Sequence, residues 1–307
     1  MKSNPTHNHS HTHDHSDLKG KKLLFTIFLN LIITVAQVIG GIISGSLSLL
    51  SDALHNLTDV ISLIISYVAN LFTKKDASET KTFGYKRAEI IAAFVNSASL
   101  LIIALYLIYE AIVRFFNPQE IESSLVIWLA LLAIFANGFS VLLLKSEAKE
   151  NMNMQSAYLH LFTDMAASIA VLIGGLLMKY FQWYWVDSLL TILIAIYLLF
   201  MGYDLLKKSF KILMLFTPDY IKIEEVTAAI NKHKSIKNVH HVHIWELNED
   251  EIHIEAHLEF YKDIQLSEFD LILVTIEEML HDRFNINHSN LQPEFKKDGP
   301  KDIVVQD

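Results

Sequence analysis

Residues 23 to 51 read LLFTIFLNLIITVAQVIGGIISGSLSLLS, a stretch of 29 residues without Asp, Glu, Lys or Arg. A helix needs about 20 apolar residues to cross a hydrocarbon core of ~30 Å, so this stretch is longer than one crossing requires. Gly40-Gly41 and Ser44-Gly45-Ser46 lie near its end. The pattern predicts that one membrane span ends there and that a second begins at about Leu47.

Further apolar segments follow along the chain, in which 52% of residues are hydrophobic and only 19% are charged. Two of them are free of charge and two contain one acid each: Ile90–Tyr109, Ser123–Leu144, Asn151–Met178 and Tyr180–Tyr203. With the second span, from about Leu47 to Phe72, they predict a six-helix transmembrane bundle within residues 21–211.

Lysine and arginine are distributed unevenly between the two ends of these spans. A six-span arrangement puts 13 of them in loops on one side and only Arg114 and Lys179 on the other. Loops rich in these residues face the cytoplasm. We therefore expect both termini in the cytoplasm, and a multi-pass protein of the plasma (inner) membrane.

The composition after Lys211 is that of a soluble domain. Residues 252–260 alternate between apolar and polar side chains, which is typical of a strand buried on one face. Neighbouring patterns predict a helix before a first strand at Asn238–Glu246, a second helix around Leu273, and a third strand at Asn285–Gln292. The order predicts a cytoplasmic α+β ferredoxin-like (αββαβ) domain over residues 212–292, followed by a flexible C-terminal tail, residues 293–307. This part of the chain is acidic, which argues against nucleic acid as a partner.

Two predicted spans contain the same short string of polar residues. Span 2 reads His55-Asn-Leu-Thr-Asp59 and span 5 reads His160-Leu-Phe-Thr-Asp164. Residues i and i+4 share a helix face, so each string directs an imidazole and a carboxylate the same way. Both strings lie near the predicted middle of the bilayer. Two nitrogens and two oxygens there would suit tetrahedral zinc, whereas interhelical hydrogen bonding is the alternative without a metal.

Other residue types narrow the chemistry. The chain contains no cysteine, which excludes thiolate metal sites, disulfides and a cysteine nucleophile. Histidine motifs typical of membrane metalloenzymes, HxxxH and HExxH, are missing from the spans. We therefore expect a protein that is not an enzyme. Asp187, next to Trp183, Tyr184 and Trp185, is interpreted as a helix cap beside an aromatic belt.

The two His/Asp strings occur together with Phe83-Gly-Tyr-Lys-Arg-Ala-Glu89 and with Val239-His-His-Val-His-Ile-Trp245. In this combination the chain resembles the cation diffusion facilitator family of metal/proton antiporters, from about Lys21 to Gln292. The resemblance implies a homodimer that exports zinc from the cytoplasm in exchange for protons, with cadmium, cobalt or iron(II) as further substrates. It assigns the transport site to His55, Asp59, His160 and Asp164. A membrane metal sensor that binds zinc without moving it is the alternative.

The resemblance also implies regulatory zinc in the C-terminal domain. Motif matching places His240, His257 and His288 at ligand positions there. Asp270 stands where some relatives have a bridging histidine, and Asn290 stands where they have a ligating aspartate, so two metals are not assumed. Solvated strand histidines without a metal are the alternative.

The first twenty residues, 1–20, form a polar tail rich in histidine. Its histidines recur at every second position: His7, His9, His11, His13 and His15. Such a tract binds zinc or nickel loosely and is otherwise disordered. We interpret it as a cytoplasmic metal-collecting tail that transport does not require.

Overall fold

The computed structural model describes residues 14–73, 78–145 and 152–305 of the chain. Within the helices it leaves out the side chains of residues 14–27, 59, 62–63, 66–73, 152–154 and 156–157. The described residues belong to two compact units, Met1–Leu63 with Ala98–Gly202 and Ile64–Ser97 with Tyr203–Asp307.

Six long helices come first in the part of the chain that the structure describes. They are α1 Asp14–Ser44, α2 Leu47–Thr73, α3 Ala88–Phe116, α4 Ser123–Leu144, α5 Met152–Phe181 and α6 Trp185–Leu213. Four of them, α3 to α6, contain segments that are long and apolar enough to cross a membrane. Their outward faces carry large apolar side chains such as Trp128, Phe135 and Phe200, each more than 70% exposed. A water-soluble surface rarely carries so many, and lipid is the solvent that suits them.

Small residues line the contacts between these helices. Ala104, Ala111 and Ala195 are fully buried where α3 meets α6, together with Leu47 of α2. Gly40 of α1 lies so close to Leu129 of α4 that a Cβ atom there would overlap its side chain. Without a hydrophobic driving force in lipid, close approach through small residues supplies the packing energy between helices.

The turn between α1 and α2 lies where the sequence predicts it. Gly45, with a φ of +73°, reverses the chain between the end of α1 at Ser44 and the start of α2 at Leu47. Asp187 of α6 accepts hydrogen bonds from the Leu47 backbone NH at 2.8 Å and from the Ser46 and Ser48 hydroxyls at 2.6 and 2.5 Å. Asp187 is therefore a cap, but it caps α2 rather than its own helix.

The second unit contains a small mixed domain. Its elements are α7 Ile223–Ile230, β1 Ile236–Glu246, β2 Ile252–Phe260, α8 Leu266–Phe284 and β3 His288–Glu294. The sheet order is β1-β2-β3, with β2 antiparallel to β1 and parallel to β3. Ile252, Ile254, Ala256, Leu258 and Phe260 of β2 lie in the core, so the alternation predicted for this strand is confirmed.

The residues after β3 pack against this domain. The predicted boundary at 292 cuts through β3, which continues to Glu294. Farther on, the carbonyls of Asp302 and Ile303 accept hydrogen bonds from the backbone NH groups of His241 and Val242 at 3.1 and 2.7 Å. β1 is an edge strand, so NH groups on its open side can bond to this segment, which was predicted to be a flexible tail.

Candidate metal-binding sites

The first candidate site joins α2 and α5. His55 Nε2 lies 3.7 Å from Asp164 Oδ1, and His160 Nε2 lies 3.5 Å from Asp164 Oδ2. The two imidazole rings are 5.8 Å apart, and Tyr197 of α6 meets the His55 ring edge to face at 6.2 Å. One donor atom from each of His55, His160 and Asp164 falls within 4.8 Å of the other two. We name this group the helical cluster.

The spacing of these atoms suits a metal ion. Both His-to-Asp distances exceed the usual length of a hydrogen bond. Ligand atoms about 2.0 to 2.2 Å from a tetrahedral zinc lie about 3.3 to 3.6 Å from one another, close to the two His-to-Asp distances of the helical cluster. Asp164 and His55 are buried, and His160 is half-buried. Asp59, the fourth predicted ligand, lies on α2 one turn after His55, and its side chain is outside the described residues.

A second buried acid, which sequence reasoning missed, lies about one turn before His55 on α2. Asp52 of α2 is only 1% exposed. It accepts a hydrogen bond from the Gln37 side-chain amide of α1 at 2.9 Å and another from the Ser168 hydroxyl of α5 at 3.4 Å. The rule that singled out Asp59 applies to Asp52 as well, because an acid within a predicted span is a functional candidate.

The second candidate site lies on the sheet. His240 of β1 and His257 of β2 are register partners, and their rings meet edge to face at 5.4 Å. Glu294, at the end of β3, reaches His240 Nε2 at 3.2 Å and His257 Nδ1 at 2.9 Å. These three residues also place one donor atom each within 4.8 Å of the others. We name this group the sheet cluster.

Two lysines complete the surroundings of Glu294. Lys297 Nζ donates to one carboxylate oxygen at 2.8 Å, and Lys301 Nζ donates to the other at 3.0 Å. Lys301 Nζ also lies 3.3 Å from His240 Nε2. An ammonium group therefore touches two of the three donor residues, at a place where a metal ion would bind.

The charges of the sheet cluster follow from this arrangement. Burial lowers the pKa of His240 and His257 below the ordinary 6.5, and Lys301 lowers that of His240 further while Glu294 opposes the effect. Burial alone would raise the pKa of Glu294, but the hydrogen bonds and charges of Lys297 and Lys301 bring it down to about 2. At neutral pH the cluster thus offers two neutral imidazoles and one ionised carboxylate, the forms that bind zinc.

Two residues that were predicted to belong to this site, His288 and Asp270, lie apart from the sheet cluster. His288 is paired with His253, and the two rings lie 4.6 Å apart. His257 is paired with Gln292, so His288 lies four residues, or about 13 Å, farther along the sheet. Asp270 is exposed on α8. Among the described residues, Glu294 is the carboxylate beside His240 and His257, whereas His288 and Asp270 are not part of this group.

The sequence signal for Glu294 was weak. It stands two residues beyond the predicted end of the domain, and an acid in an acidic segment carries no motif. A bulge in β1 between His240 and His243, with His241 at a φ of +52°, also shifts the faces of that strand. His7, His9, His11 and His13 of the predicted tail lie outside the described residues, as does the side chain of His15.

Two family models match consecutive parts of the chain. Residues 23–214 match the family model described as the cation efflux transmembrane domain. Residues 218–295 match the model of the cation efflux protein, cytoplasmic domain. Together the two models cover α1 from residue 23 onward, the other five long helices and the sheet domain.

Several relatives align over most of their length. A cadmium, cobalt and zinc/H(+)-K(+) antiporter of Bacillus subtilis is 36% identical over 94% of this chain and 91% of the relative. The metal cation efflux system protein CzcD of Cupriavidus metallidurans is 34% identical over 85% and 82%. The zinc transporter ZitB of Escherichia coli is 32% identical over 95% and 92%.

Proposed function

The chain belongs to the cation diffusion facilitator (cation efflux) family, and on that premise we propose that it exports zinc from the cytoplasm in exchange for protons. The observation that carries the proposal is the helical cluster, in which two imidazoles and a carboxylate meet inside apolar helices. An ionisable group within a membrane span is costly, and metal transport accounts for three of them in one place. Cadmium and cobalt, named for the relatives, and iron(II) are the further substrates we propose.

The exchange follows from the chemistry of the ligands. Zinc binds neutral imidazole and ionised carboxylate, so protons and zinc compete for the same atoms. Zinc arriving from the cytoplasm displaces protons from His55, His160 and Asp164, and protons arriving from outside displace zinc. We propose Asp59 as the fourth ligand, since it follows His55 by four residues as Asp164 follows His160.

We also propose six membrane spans, with α1 and α2 added to the four apolar helices, and both termini in the cytoplasm of a cell whose plasma (inner) membrane holds the protein. Contacts within the second unit support a cytoplasmic location for the sheet domain. Lys86, just before α3, donates to both carboxylate oxygens of Glu251 at 2.5 and 2.6 Å, and Lys208 of α6 donates to Glu249 at 2.9 Å. Both lysines are among the basic residues that are predicted to lie on the cytoplasmic side.

The sheet domain is proposed to be ferredoxin-like, to join two copies of the chain into a homodimer, and to bind regulatory zinc through the sheet cluster. Two nitrogens and one oxygen within 4.8 Å fit zinc as ligands. The Lys301 ammonium has to leave before a metal ion can enter. Zinc at this site would therefore compete with a cation that belongs to the protein.

Zinc uptake into proteoliposomes tests the transport proposal. An acidic lumen should drive zinc inward through molecules whose cytoplasmic face is outside, and Asp164→Asn should reduce uptake to that of empty liposomes. Asp204→Asn is the matched control, because it makes the same change on an exposed position of α6. Zinc binding by the wild type without gradient-driven uptake would contradict the proposal and favour the metal sensor.

A further inference from the structure

The exchange proposed above assigns no role to Asp52. Its carboxylate is buried between three helices and accepts hydrogen bonds from Gln37 of α1 and Ser168 of α5. Both of these partners are neutral. An ionised carboxylate is costly to bury without a paired cation, and such a group takes up a proton readily.

The position of Asp52 relative to the helical cluster is defined by both helices. Asp52 precedes His55 by three residues on α2, and Ser168 follows Asp164 by four residues on α5. Because Asp52 contacts Ser168 while His55 lies beside Asp164, α2 and α5 run antiparallel. One turn back on α2 and one turn forward on α5 are therefore steps in the same direction. In the proposed orientation that direction is outward.

A polar stripe continues from Asp52 to the outer end of α2. Ser48, Asp52 and His55 are buried and follow one another at spacings of four and three residues, so they share one face of the helix. The Ser48 hydroxyl donates to Asp187 at 2.5 Å. Polar groups thus run from the capped start of α2 to the helical cluster, in steps of about 4.5 to 6 Å along the helix.

Among the side chains that the structure describes, charged and titratable groups lie near the two ends of this stripe. At the inner end are His55 of α2 and His160 and Asp164 of α5. At the outer end are Asp187 of α6 and the ion pair of Glu110 with Arg114 on α3, whose guanidinium donates to the Gly45 carbonyl at 2.7 Å. Residues 28–44 of α1 and 123–144 of α4 contain no ionisable side chain. Asp52 is the carboxylate between the two ends.

We propose that Asp52 is a proton-carrying residue of the exchange, placed between the outer surface and the metal ligands. A proton from outside binds Asp52 on Oδ1, which leaves the two hydrogen bonds to Oδ2 intact. When zinc leaves outward, this proton passes to the vacated ligand set, and Asp52 is ionised until the next proton arrives. The inference rests on the proposed function, since it needs proton exchange.

Two zinc measurements on proteoliposomes separate proton transfer from metal binding. The first is exchange of radioactive for unlabelled zinc without a pH gradient, which needs the metal site but no net proton movement. The second is zinc uptake driven by an acidic lumen, with a pH-sensitive dye recording proton release. Asp52→Asn should retain the first and lose the second, whereas Asp52→Glu should retain both with a shifted pH profile. Asp204→Asn should behave as the wild type in both.

Each other outcome overturns the inference. Gradient-driven uptake by Asp52→Asn at the wild-type level would remove any need for a proton on this residue. Loss of zinc exchange in the same variant would make Asp52 a structural residue of the metal site. Should Asp52→Asn not fold, an unchanged pH profile of Asp52→Glu would overturn it. A wild type that exchanges zinc without responding to the gradient would overturn the proposed function as well.

Discussion

The helical cluster and the sheet cluster use the same donors, two histidines and one carboxylate, in opposite electrostatic surroundings. Leu23–Thr73 and Asn151–Met178, which provide the helical cluster, contain no Lys or Arg. Glu294 of the sheet cluster holds the ammonium groups of Lys297 and Lys301. Similar sets of ligands can therefore either lie on segments without Lys or Arg, as in the helical cluster, or be paired with lysine ammonium groups of the protein, as in the sheet cluster. We infer cargo binding for the first and weaker, displaceable binding for the second.

The largest expected effect separates the two clusters by transport. Asp164→Asn should abolish zinc uptake driven by a pH gradient, because it removes the carboxylate that both membrane histidines face. Glu294→Gln should retain gradient-driven uptake, since the sheet cluster lies outside the apolar helices. Equal loss in both variants, measured in the same proteoliposomes, would break the distinction between cargo site and regulatory site.

Removing the protein's own cation should strengthen metal binding at the sheet cluster. Lys301→Met in an Asp164→Asn background should raise zinc affinity about tenfold, or ~1.4 kcal/mol. This lies between the values for two unit charges about 4 Å apart in water, about 1 kcal/mol, and near a protein surface, about 4 kcal/mol. Lys262→Met changes the net charge equally at an exposed loop position and serves as the control. Calorimetric titration of the full chain measures both. A weaker site in Lys301→Met would show that the lysine supports binding.

The pH dependence of zinc binding at the sheet cluster gives a further prediction. Burial lowers the pKa of His240 and His257, so these side chains stay neutral at pH values where an ordinary histidine is already protonated. Zinc affinity at the sheet cluster should therefore persist as pH falls through 6.5 and decline only at more acidic pH. In Lys301→Met the decline should begin at higher pH, because a charge that lowers the His240 pKa is gone. Titrations at several pH values in the Asp164→Asn background measure this.

The smallest effect is expected from an ion pair outside both clusters. Lys208 and Glu249 form a contact of 2.9 Å, but both side chains are well exposed. Such pairs contribute about 0 to 1 kcal/mol. Lys208→Met should leave zinc uptake unchanged and alter the unfolding free energy in denaturant by no more than that amount. A change in zinc uptake would contradict this expectation, because it would mean that charges outside the two clusters control transport.

Much of the fold could be predicted because membrane helices and half-buried strands leave periodic signals. Charge-free runs located α3 and α4, the Gly45 turn divided the first apolar stretch, and alternation identified β2. The repeated His-x-x-x-Asp string pointed to His55, His160 and Asp164, because residues four apart must share a helix face. These are local properties of the chain.

Contacts between segments far apart in the sequence could not be predicted from these local patterns. Glu294 lies beside His240 and His257 because β3 pairs in parallel with β2, with Gln292 opposite His257. Lys301 lies beside them because the next residues, Asp302 and Ile303, are hydrogen-bonded to β1. Asp187 caps a helix that starts 140 residues earlier in the chain.

The sequence by itself determined the helices and the strands and pointed to the proposed membrane ligands, since side-chain period and solvent preference act over a few residues. Only the tertiary structure decided which carboxylate joins which histidines and which cation lies beside it. Strand register and helix packing bring together groups whose spacing along the chain carries no period.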